Sequence, residues 1–389
     1  MGNILKKGFL FLLSVMLVFG ALEILIRSLD IHGTDLYVKD ALIDRRHKSD
    51  LDMTIRTEHG KTSHVITNQF GFLGHEVTKE KSEGVFRVVN LGDSFTAGHD
   101  VDTDKTYSSL LEETLPEVVG MPVESLNFGI PSQGTHEALL RYERFAENFE
   151  PDLVILYFFV GNDFAENQES ITELKEKLEH RDDGSLLRRT FRKSELALFV
   201  VNKMVQIPSI AHFLYGTSII RDEGESDNSS FSEIPISIRV MFSESDPDKN
   251  EITLRNTRED LTLLYDEVKK TGATLLVVVI PTSFQVVKGE GQDLLTQYPL
   301  LTDAGFDFTR PQRSISEMLM ELSIPSIDLL PTFQEKCSGD SCALYNCPHC
   351  HLSEEGHILV RDEVTLKIKD LLENKSHATT TEKTLENVF

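Results

Sequence analysis

The residues best suited to chemistry stand at four well-separated points of this 389-residue chain: Ser94, Gly129, Asn162 and His351. Gly92-Asp93-Ser94 follows the apolar run Val88–Leu91, which reads as a buried strand breaking at Gly92. A helix is expected to open there, ahead of Tyr107, Leu110 and Leu111. A hydroxyl on such a turn lies at the rim of a sheet, beside first-turn amides that favour developing negative charge. Ser94 is therefore a candidate nucleophile; the alternative is that Asp93 or Ser94 only caps the helix. His351 offers an imidazole to take a serine proton, its alternative being a surface position before the N-cap Ser353. Asn162 carries an uncharged NH₂ donor, and Gly129, lacking a Cβ, can bring a backbone N–H close. As a residue just past a strand, Asn162 reads equally well as part of a turn.

All four cysteines, Cys337, Cys342, Cys347 and Cys350, crowd into the segment just before His351. In an extracytoplasmic domain an even, tight set reads first as two disulfides, with three pairings open. Zinc is the second reading, because Cys347, His349, Cys350 and His351 are all ligand types. Thiol exchange at Cys347-Pro348-His349-Cys350 is the third.

Positioning these groups requires alternating strands and helices. Predominantly apolar runs at Val88–Leu91, Leu153–Val160 and Thr274–Ile280 read as strands, and Val123–Asn127 and Ser326–Leu329 as shorter strand candidates. Helical spacing links Ala138, Tyr142, Phe145 and Phe149, then Leu261, Leu264 and Val268, then Val360, Val364, Ile368 and Leu371. Continuous apolar strands separated by helices argue for a parallel sheet covered on both faces, with ligands outside the strands' carboxyl ends. Residues 31–84 read as a polar stalk and N-terminal extension, about 164–251 as an insertion, and 373–389 as a disordered tail.

With that frame in place, the chain resembles the SGNH (GDSL-type) hydrolases. Gly92-Asp93-Ser94 is similar to their first block, Asn127-Phe128-Gly129 to the second, Gly161-Asn162-Asp163 to the third, and His351 through His357 to the last. The resemblance implies a flavodoxin-like three-layer α/β sandwich over residues 85–372, with the insertion between strands 3 and 4 of the sheet. It also implies serine ester hydrolysis or acyl transfer without a cofactor. By the same resemblance Ser94 is nucleophile, His351 is base, and the oxyanion hole comprises the Ser94 and Gly129 N–H groups and the Asn162 amide. One position departs: where the resemblance implies an aspartate before the histidine, Pro348 and His349 stand. A carboxylate from elsewhere such as Asp340, a backbone carbonyl orienting a Ser–His dyad, or a weak site are the open outcomes.

A net charge of −24 argues against nucleic acid as a partner, since that needs clustered Lys and Arg. Lys6 and Lys7 precede an apolar run from Gly8 to Leu22 that resumes at Ile24. Roughly nineteen such residues just cross a bilayer core. Residues 1–30 are therefore expected to form an uncleaved, single-pass signal anchor with the remainder extracytoplasmic. The expected substrate is an acyl ester, on surface or secreted glycans. The alternative is a catalytically weak or inactive member of the fold that binds glycans or serves assembly.

Overall fold

The computed structural model describes residues 2–29, 36–40, 43–57, 61–179, 234–337, 342–346 and 351–386. Chain contacts divide it into two units, Met1–Leu36 with His180–Asn228, and Tyr37–Glu179 with Ser229–Phe389. In the first, Gly2–Leu29 is one helix; its stretch Lys6–Leu25 has a mean hydropathy of 2.4 and length enough to span a bilayer.

The second unit opens with two antiparallel hairpins, β1 (Tyr37–Asp40) with β2 (Asp44–His47) and β3 (Asp52–Arg56) with β4 (Thr62–Ile66). The sequence reading had only a polar stalk there. These strands are short, and β3 buries no residue fully, so they carry little of the apolar signal that marks a core strand.

Five parallel strands follow: β5 (Phe86–Leu91), β6 (Val123–Asn127), β7 (Leu153–Phe159), β8 (Thr274–Ile280) and β9 (Ser326–Asp328). Their spatial order is β6-β5-β7-β8-β9, the flavodoxin-like arrangement, with the order reversing beside β5. Because side chains alternate across a strand, each contributes to two cores. Val89, Leu91, Val154, Leu156, Phe158, Val277 and Val279 pack on one face. Val88, Leu153, Ile155, Tyr157, Leu276, Val278 and Ile280 pack on the other. Helices Thr135–Arg144 and Pro247–Lys270 cover the first face, and Tyr107–Val119 with Glu354–Glu386 the second. Leu156 is 1 % exposed, so Leu156→Ala leaves a cavity of the kind that costs about 2–5 kcal/mol.

The last helix continues to Glu386, past the point where the sequence suggests a frayed tail. No Gly or Pro follows Gly356, so nothing in the chain forces the helix to stop. The insertion is helical where described, at Ile171–Glu179 and Ile236–Phe242. Residues 180–233 lie outside the described residues.

Candidate active site

The turn after β5 is built so that a serine must face outward. Gly92 has φ +154°, and a Cβ there would meet Thr96 Oγ1 at 2.2 Å and the Tyr157 carbonyl at 2.9 Å. Only glycine fits. Asp93 then caps the helix, its carboxylate accepting the Phe95 N–H at 2.9 Å. Asp93 is thus the cap, and Ser94 is left at the rim. The helix it opens is a single turn, Ser94–Ala97; the long helix starts afresh at Tyr107. Local amides, rather than a long helix dipole, are what the turn supplies.

His351 reaches that turn from the far end of the chain. Its carbonyl accepts the Asn346 N–H at 3.0 Å, Leu352 bridges to Tyr345, and the Ser353 N–H donates to the Leu344 carbonyl at 2.9 Å. Tyr345 is itself held by its hydroxyl on the Pro281 carbonyl, and a Cys337–Cys342 disulfide closes the preceding loop. That is one of the expected bonds; Cys347 and Cys350 lie outside the described residues, as do His349 and Asp340. The imidazole Nε2 stands 2.8 Å from Ser94 Oγ, with the ring against Phe95 and His99 at centroid distances of 5.0 and 4.7 Å.

The other ring nitrogen faces a residue the sequence reading did not name. His351 Nδ1 lies 3.7 Å from Asp100 Oδ2, an ion-pair separation, and the Asp100 side chain has no exposed surface. Asp100 has φ +74°, a left-handed conformation that Asp tolerates better than most residues. The turn therefore doubles back so that Ser94 and Asp100 flank one imidazole. Nothing in the sequence marks this return; an Asp shortly after a candidate nucleophile is the only cue.

The two residues expected to supply oxyanion donors beside Ser94 are placed unequally. Asn162 borders the Ser94 cleft, but its Nδ2 donates to Glu166 Oε1 at 2.9 Å. Gly129 does not border it: its N–H donates to Asn127 Oδ1 at 2.9 Å. A Cβ at Gly129 would meet the Ala97 nitrogen at 2.3 Å, so this glycine serves close packing against the back of the turn. In this geometry the one hydrogen of the Gly129 amide is engaged by Asn127.

Carboxyls are packed beneath the serine. Burial pushes Asp93 up to about 6, against the Phe95 amide, His351 and Asn162, which pull it down. Burial and then the Asp93 charge push Glu166 up to about 8. Asp163 is raised well above the usual range by burial and by the Asp93 and Glu166 charges. His136 is buried, its Nδ1 2.6 Å from Asp260 Oδ2.

The cleft in front of Ser94 has a volume of about 430 Å³. Phe159, Ile238, Phe284 and Tyr298 make its apolar wall, and Ile238 comes from the described end of the insertion. Phe158 is core, whereas its neighbour Phe159 stacks on Phe95 at 3.9 Å and faces the cleft, as strand alternation requires.

The profile of the GDSL-like Lipase/Acylhydrolase family matches residues 88–289, just over half of the chain. The chain belongs to that family. It is accordingly a carboxylic ester hydrolase by membership, although His351 lies beyond the matched span. Among solved structures, the acetyl xylan esterase AlAXEase is 15% identical, covering 72% of this chain and 98% of its own at a TM-score of 0.39. A lipase/acylhydrolase from Enterococcus faecalis is also 15% identical, covering 73% and 96% at 0.39. An acetylxylan esterase from Geobacillus stearothermophilus is 14% identical, covering 75% and 96% at 0.38. No curated protein matches.

Proposed function

We propose that this family member is an extracytoplasmic serine esterase or acyltransferase acting on O-acyl esters of surface or secreted glycans. The observation that carries the chemistry is the 2.8 Å contact between Ser94 Oγ and His351 Nε2. Ser94 Oγ attacks the acyl carbon while Nε2 takes its proton. Asp100, facing Nδ1, fixes the ring's orientation and stabilises the imidazolium, the part the resemblance assigned to an aspartate beside the histidine. The oxyanion is met by the Ser94 N–H and by the Asn162 amide, which turns from Glu166 to the substrate. Nε2–H then protonates the departing sugar oxygen. Water, or a second sugar hydroxyl, attacks the acyl-serine with the same imidazole as base, and serine regains its proton.

The apolar wall suits a short acyl group, and an acetyl ester is the first choice. The apolar helix at Lys6–Leu25 supports a membrane-tethered location, and the lysines before it favour an outward domain. Turnover of 4-nitrophenyl acetate and labelling by a fluorophosphonate test the reading. Wild type should do both and Ser94→Ala neither. A wild-type protein inert to both belongs to the binding or assembly alternative.

A further inference from the structure

A second cavity lies behind the nucleophile turn, and no step of the ester chemistry uses it. Its volume is about 370 Å³, room for about a dozen water-sized groups at ~30 Å³ each. Its apolar side is a phenylalanine cluster: Phe72 stacks on Phe128 at 4.4 Å and meets Phe149 edge-on at 5.2 Å. Its charges invert those of the molecule. In a chain of net charge −24, the lining holds Arg46, Lys79, Arg141 and Arg144 against one carboxylate, Asp40.

Two buried nitrogens on residues that line it have no hydrogen-bond partner among the described residues. Arg141 is 2 % exposed; its Nη2 donates to the Gly92 carbonyl at 3.1 Å and its Nη1 to Gln133, while Nε has no hydrogen-bond partner among the described residues. His47 is also 2 % exposed, and its Nδ1 has none either. Buried polar atoms of this kind are costly unless something pairs with them. Burial, with the Arg141 and Arg45 charges behind it, holds His47 down at about 3, so the ring is neutral and carries one N–H, which an acceptor in the cavity would draw to Nδ1. One guanidinium N–H and one imidazole N–H suit the two oxygens of a planar carboxylate better than the three of a phosphate.

We infer that this cavity binds an organic carboxylate with a compact apolar body, the carboxylate on Arg141 and His47 and the body on the phenylalanines. Arg144 and Lys79, both exposed at the mouth, draw the anion in. The site is independent of the ester-cleaving reading: it holds whether or not Ser94 is reactive.

The test is calorimetric titration of 3-phenylpropionate into the full chain in neutral detergent micelles. The expected result is saturable one-to-one binding with a Kd of about 10 μM to 1 mM. Arg144→Glu should weaken it about tenfold, whereas Gln297→Glu, which puts a negative charge on the Ser94 cleft instead, should leave it unchanged. Both positions are exposed, so neither change threatens folding. The isosteric alcohol 3-phenylpropanol should bind at least about tenfold more weakly, and inorganic phosphate should not compete. No saturable binding by about 10 mM overturns the inference. So does equal binding of the alcohol, displacement by phosphate, indifference to Arg144→Glu, or sensitivity to Gln297→Glu.

Discussion

Two pockets share one turn. Ser94 lines the cleft in front, while the Gly92 carbonyl, two residues earlier, is held by Arg141 from the cavity behind. In front, burial drives carboxyls upward, Asp93 to about 6 and Glu166 to about 8. Behind, burial drives bases downward, His47 to about 3 and Arg141 to about 10. The same desolvation thus favours neutral forms on both sides, yet leaves one side rich in acceptors and the other in donors. A pocket's chemistry follows from which groups are buried in it, even when the two are separated by a few backbone atoms.

Breaking the front alone should give the largest effect. Ser94→Ala is expected to lower kcat by about 10⁴–10⁶ with no change in 3-phenylpropionate binding, measured on a chromogenic ester and by calorimetry. Asp100→Asn should follow, with a kcat loss of about 10²–10⁴ and little change in KM. Asn tolerates the left-handed backbone at this position, so the loss reports the carboxylate and not strain. His99, Asp100 and His351 also bring potential metal-ligand atoms within 4.8 Å of one another, so this variant should be assayed with and without a chelator. Wild-type activity that survives chelation separates orientation by Asp100 from a metal role. Asn162→Ala should cost about 10²–10³ in kcat, the usual loss for one oxyanion donor.

The smallest effects sharpen the electrostatic contrast. A carboxyl raised in the folded state keeps its proton where the unfolded chain has lost it, so stability falls as pH rises from about 4.5 to about 8. Glu166→Gln should flatten that fall in Tm. A histidine lowered in the folded state does the reverse: the unfolded chain binds the extra proton, and stability is lost as pH drops from about 6.5 toward 3. His47→Gln should flatten that acid-side loss, with His357, also held at about 3, supplying what remains. Thermal melts across pH read both slopes.

What the sequence revealed divides along physical lines. The parallel sheet was legible because its central strands β5, β7 and β8 are predominantly apolar runs, and their ends located Ser94 and Asn162 in one cleft. His351 was legible through the blocks it keeps company with, and it does meet Ser94. The hairpins at Tyr37–Ile66 were not, because their strands are only four or five residues long, and even the alternating β3 buries no side chain fully. Asp100 escaped because its place depends on a left-handed turn that Asp permits without requiring. Gly129 shows a related limit. Glycine signals close approach, but the sequence does not say to what, and here it is the Thr96–Ala97 backbone.

On the proposed mechanism, nucleophile and carboxylate ride on the same short loop, whereas the imidazole comes from residue 351. A growing polypeptide therefore carries two of its three reactive groups side by side long before anything exists to accept the proton. Until translation has passed the histidine and the final helix has seated against its neighbour, the proposed reaction has no base. Whatever compartment it is made in or moved through, it meets its first ester as a finished molecule.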